Sequence, residues 1–156
     1  MLVYRISKQI YANDLSGTGA GLYGGRWNPK GVSLVYTAGS TSLACLEYLV
    51  HNFHVMEKQE ICLSEIFVTD DSSIEEVSLN DLPADWQTKK YTPLTTQKIG
   101  FNFFHRAEAY LLKVPSAIVP NEFNLLLNPS HKFHRETYIF NQITPFSFDE
   151  RLFSKR

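Results

Sequence analysis

A carboxylate interrupts an otherwise apolar stripe in the segment STSLACLEYLVHNF. Leu43, Leu46, Val50 and Phe53 recur at three- and four-residue steps, the mark of a helix face turned to a core. Glu47 falls four after Leu43 and three before Val50. An unpaired buried carboxylate is costly, so a residue in this place is either held in a structural ion pair or poised for chemistry. His51, one turn on, is a local partner for it, and Arg5 or Arg26 a remote one. Arg26 itself stands in GGRWNPKGVSLVYTA, between Gly25 and Trp27. A planar guanidinium beside an aromatic ring suits a phosphate or carboxylate ligand. A surface arginine stacked on Trp27 would leave the same trace in the sequence.

Three other patterns carry less. GAGLYG (Gly19 to Gly24) matches the dinucleotide fingerprint in form, but GRWNPKG follows it and cannot open the long helix whose N-terminus would hold a pyrophosphate. Those glycines are expected to form a long loop that lets backbone approach a ligand. HKFH (His131 to His134) has two histidines at metal-ligand spacing but no third ligand in register, so solvated or turn histidines and no metal are expected. Ser116, in VPSAIVP, lacks the elbow of a hydrolase nucleophile, although a hydroxyl between two prolines can bind a ligand.

These residues have to be positioned by a fold of 156 residues, enough for one domain with its own core. The chain is 44% hydrophobic and 20% charged, which excludes intrinsic disorder. A net charge of -1 removes the basic field that drives nucleic-acid binding, so no direct contact with nucleic acid is expected. The apolar runs are too short to span a bilayer and no signal-peptide pattern opens the chain, so no membrane association and a cytoplasmic location are expected. Cys45 and Cys62 are expected to be small buried hydrophobes.

Alternation predicts strands over Leu2–Ile6, Val32–Ala38 and Glu60–Val68. Ser40 caps a helix running to about His54, and Pro93 opens a second over about Thr92–His105. Residues 69–90 are acidic and polar at first, then loop-like. EAYLLKV, SAIVP, FNLLLNP and ETYIFNQITPFSF read as further strands, the first two separated at Pro115. About six strands and two or three helices without βαβ alternation make the class α+β, a single domain over residues 1–156.

Taken in order, YRI, GTGAGLYGGRWNPKGVSLVYTA, STSLACLEYLVH, TQKIG and VPSAIVPNEFNLLLNPSH resemble the RES domain family from Tyr4 to Phe133. The resemblance implies a fold like the NAD-binding core of ADP-ribosyltransferases such as diphtheria toxin, with mixed and antiparallel strands. It implies the toxin of a bacterial type II toxin–antitoxin module, partnered by an Xre-like helix-turn-helix antitoxin that covers the active-site entrance, and it leaves a homodimer open. The implied activity is consumption of NAD⁺ as substrate, by hydrolysis or phosphorolysis of the nicotinamide–ribose bond. Protein mono-ADP-ribosylation, or an inactive partner-binding module, are the alternatives. Matched motif by motif, the family's functional residues fall on Arg5, Arg26, Tyr36, Glu47 and Ser116. Glu47, Tyr36 and Arg26 would be catalytic, and Arg5, Arg26, Tyr36 and Ser116 would bind NAD⁺. After TQKIG this chain has Phe101, Asn102 and Phe103 where the family usually shows a polar residue and then tryptophan.

Overall fold

A computed structural model of the chain describes residues 1–53, 60–69, 74–88 and 90–153. Its centre is a seven-stranded sheet built from β1 (Leu2–Lys8), β2 (Val35–Ala38), β3 (Ile61–Val68), β4 (Ile74–Glu76), β5 (Leu111–Pro115), β6 (Phe123–Leu127) and β7 (Tyr138–Phe146). The strand order is β4-β5-β6-β2-β1-β3-β7, with β4 parallel to β5 and every other neighbour antiparallel. Four α-helices accompany it among the described residues: α1 (Thr18–Tyr23), α2 (Thr41–Asn52), α3 (Leu94–Arg106) and α4 (His134–Thr137). The class is α+β, as expected.

Strand alternation divides the core into two layers. Val3, Val35, Ile66, Leu111, Leu125 and Leu127 point to one face and bury Leu15 and Tyr110. On the other face Ala38 and Ile6 receive Leu43 and Ala44 of α2, while Leu126, Leu112 and Val114 receive Trp27 and Phe103. Phe103, part of the departure after TQKIG, is therefore a core residue. Phe101 is exposed and meets the His105 ring.

Ser40 does cap α2, its hydroxyl accepting from the Leu43 N–H at 3.1 Å and donating to Glu122 at 2.9 Å. A cap of this kind stabilises by about 1 kcal/mol. The face that α2 buries differs from the one expected. Leu43 and Ala44 are buried, whereas Leu46, Val50 and Phe53 are 41%, 58% and 49% exposed. The sheet meets the helix along the seam 43, 44 and 48, and Glu47, one turn after Leu43, lies on its flank. His54, the expected helix end, lies outside the described residues.

Other boundaries also move. The glycine region, expected as a loop throughout, holds the short helix α1. SAIVP is not a strand: the Ser116 hydroxyl accepts from the N–H groups of Ile118 and Val119, both at 3.1 Å, which closes a turn in place of a sheet ladder. β4 falls in the acidic, polar part of the segment where no strand was expected, paired to β5, so that seven strands form the sheet among the described residues. The second strand begins at Val35 instead of Val32, and the last is preceded by α4. Cys62 is buried as expected, whereas Cys45 is half-buried. His131 is a turn histidine, one of the two expected alternatives, its carbonyl accepting the His134 N–H at 2.9 Å, but it is buried beside the Tyr110 ring and not solvated.

Candidate active site

β1 and β2 pair at a single position, Tyr4 opposite Ala38, although β1 pairs with β3 along its whole length. Beyond that point the two strands part, and Arg5 and Ile6 on one lip face Tyr36 and Thr37 on the other across a cleft of about 960 Å³. That volume lies at the upper end of the roughly 300–1,000 Å³ typical of small-ligand sites. α2 closes one side with Ala44, Glu47, Tyr48 and His51, and the loop from Gly24 to Trp27 closes another.

Glu47 reaches the cleft from α2 with its side chain 24% exposed. Its Oε1 accepts the Asn124 side-chain amide at 2.5 Å and the Ser116 hydroxyl at 3.3 Å, and its Oε2 stands 3.7 Å from His51 Nε2. His51 is thus the local partner expected from the spacing. Neither Arg5 nor Arg26 forms an ion pair with Glu47, so the remote pairing is not made. The carboxylate is held mainly by neutral donors and lines the cleft.

Tyr36 is held by the arginine loop. Its hydroxyl donates to Asn28 Oδ1 at 2.7 Å and accepts the Trp27 N–H at 3.1 Å. Burial pushes the phenol well above its ordinary range, and the Glu47 charge adds to this while the Trp27 N–H and Arg26 oppose it. Gly25 is required here for close approach, since a Cβ on it would lie 2.6 Å from the Tyr36 hydroxyl and 2.9 Å from Asn28 Oδ1. Asn28, fully buried, donates to the carbonyls of Ala20 and Val32, both at 2.8 Å, and accepts from Tyr36 of β2, and so ties α1, the loop and β2 together.

Arg26 does not stack on Trp27. Its guanidinium lies 5.9 Å from the ring centres of both Trp86 and Tyr91, and Nη1 donates to the Trp86 carbonyl. Trp27 is 2% exposed and anchors the loop to the core against Trp86 and Phe103. α3 secures the same loop: Thr96 Oγ1 donates to the Arg26 carbonyl at 2.6 Å and Gln97 Nε2 to the Gly25 carbonyl at 2.8 Å. Arg5 donates to the Asp14 carbonyl, and burial lowers its guanidinium from the ordinary value, partly offset by the Asp14 charge.

Four of the five residues singled out in the sequence, Arg5, Arg26, Tyr36 and Glu47, line one cleft. Ser116 is 2% exposed and sits behind Glu47 instead of opening onto the cleft. Asn28, Thr96, Gln97 and Asn124 escaped notice, because single amides and hydroxyls inside apolar or polar runs carry no spacing signal. Among the described residues no group of three or more His, Cys, Asp or Glu side chains gathers as a metal site.

The chain belongs to the RES domain family, whose pattern matches residues 2–149. Toxin Res of Yersinia enterocolitica is 41% identical over 153 residues, spanning 97% of this chain and 99% of its own. The Prs ADP-ribosylating toxin of a Sphingobium species is 42% identical over 122 residues, 77% of this chain and 75% of its own. The fold is shared with a chain of the M. tuberculosis MbcT–MbcA toxin–antitoxin complex, at a TM-score of 0.78 and 21% identity over 94% of this chain and 84% of that one.

Proposed function

We infer that this chain is the toxin of a toxin–antitoxin pair and that it acts by breaking the nicotinamide–ribose bond of NAD⁺. The observation that carries this is Glu47: a carboxylate without an Arg or Lys partner among the described residues, fixed by Asn124 and Ser116, in a cleft that also holds Arg5, Arg26 and Tyr36. As the bond breaks, its electron pair leaves with neutral nicotinamide and positive charge builds on the ribose. A preorganised carboxylate favours that charge more than it favours the ground state. Arg26 and Arg5 supply charge-assisted donors for the pyrophosphate. Tyr36 offers a ring face to the nicotinamide. Water or phosphate then attacks the ribose carbon, giving ADP-ribose or its phosphate ester.

The test is incubation of the purified chain with NAD⁺, with and without phosphate, and identification of products by mass. Release of nicotinamide is expected, and Glu47→Gln should slow it by about a hundred- to thousandfold. Unchanged NAD⁺ overturns this function. A second activity, transfer of ADP-ribose to a protein, is favoured by the Sphingobium relative named for ADP-ribosylation. Labelled NAD⁺ added to a cell extract should then mark a protein band.

The partner is an antitoxin, by analogy with the MbcT–MbcA complex. Of the Xre-like type implied by the family, it would close the cleft entrance, so a complex that turns over NAD⁺ at the full rate would refute that placement.

A further inference from the structure

Glu47 is gripped from one side. Both hydrogen bonds, from the Asn124 amide at 2.5 Å and the Ser116 hydroxyl at 3.3 Å, fall on Oε1. Oε2 takes neither of them; His51 Nε2 stands 3.7 Å from it, and Glu47 lines the cleft. Asn124 reaches this place because β6 sets it opposite Ala38 of β2 and Val114 of β5, where it is 9% exposed. Its neutral amide fixes the carboxylate without cancelling its charge, which a lysine or arginine in the same place would do.

We propose that Asn124 is a positioning residue: by holding Oε1 it presents Oε2 of Glu47 to the ribose. This rests on the NAD⁺ reading above. A ribose hydroxyl or incoming water bound by Glu47 is then bound through Oε2, and Ser116 assists from behind as the weaker donor. The shorter contact assigns the larger share to Asn124, since hydrogen bonds to charged acceptors strengthen as they shorten.

The test compares NAD⁺ turnover in Asn124→Ala, Glu47→Ala and the double variant, at high enzyme concentration. Asn124→Ala should lower kcat roughly ten- to hundredfold with KM little changed. Added to Glu47→Ala it should cost nothing more, because the residue acts through the carboxylate. An equal further loss in both backgrounds would mark a structural role and overturn the proposal. Asn124→Asp, of the same size, sets a second carboxylate against Glu47 and should be slower than the alanine variant; a faster rate would also overturn it. A second readout needs no NAD⁺. The Asn124 side-chain amide protons should shift by NMR on Glu47→Ala, and an unmoved resonance would refute the contact. If the wild-type chain leaves NAD⁺ intact while that resonance moves, the NAD⁺ function fails and the clamp on Glu47 stands.

Discussion

A Cβ on Gly100 would lie 1.7 Å from the Trp27 carbonyl oxygen, so α3 and the arginine loop meet backbone against backbone. Neither side can give way, because Trp27 is buried and the Thr96 and Gln97 side chains of α3 hold the carbonyls of Arg26 and Gly25. Gly100→Ala is therefore expected to destabilise the fold by about 3 kcal/mol, the upper part of the range for overpacking. It should also lower activity by displacing Arg26. Urea unfolding checks it, and an unchanged midpoint would contradict the contact.

Tyr36→Phe keeps the ring in the cleft and removes the hydroxyl. Asn28 Oδ1 loses its donor and the Trp27 N–H its acceptor, and both Asn28 and Trp27 are buried. A cost of about 1–3 kcal/mol is expected from the unpaired groups. Thermal and chemical unfolding of the variant measure it. A smaller loss than 0.5 kcal/mol, about the least that a hydrogen bond contributes, would mean the loop is held without this phenol.

Arg26→Lys retains the charge but not the planar fork. In the native chain one planar guanidinium both donates to the Trp86 carbonyl and approaches the Trp86 and Tyr91 rings, a combination that a single ammonium reproduces less well. KM for NAD⁺ is expected to rise about tenfold, with a smaller change in kcat. Initial-rate kinetics decide between this and a role confined to anchoring the loop, which would lower stability and leave KM alone.

His134 links stability to pH. Its Nδ1 lies 3.0 Å from the buried Tyr110 hydroxyl, and burial lowers its pKa from the ordinary 6.5, with the nearby charges of Arg135 and His131 adding to the effect and a backbone hydrogen bond at Leu15 opposing it. The unfolded chain then takes up a proton at a pH where the folded chain does not, so the fold loses stability as pH falls from about 6.5 to the lowered folded value. Well above 6.5 both states are neutral and this contribution is flat. Urea midpoints at pH 7.5 and 5.5 should differ by less in His134→Gln than in the wild type, and an equal difference would remove His134 as the cause.

Much of the site is legible before any folding, because some residue types announce themselves by context. Glu47 is conspicuous among apolar neighbours, and Arg26 and Tyr36 stand in a glycine-rich stretch that leads into a strand. The direction of α2 is not legible in the same way. A stripe at 43, 46, 50 and 53 and a seam at 43, 44 and 48 are both helical, and the sheet selects the second by where β1 and β2 lie.

The sequence by itself determines the α+β class, the capped helix that carries Glu47 and the set of side chains available for chemistry, since these follow from local pattern and residue type. Only the tertiary structure decides that β1 and β2 part after one pair, that Ser116 stands behind the carboxylate, and that Asn124, 77 residues away in sequence, grips it. Strand order and register create those neighbours, and they depend on how the whole chain satisfies its core and its backbone hydrogen bonds at once.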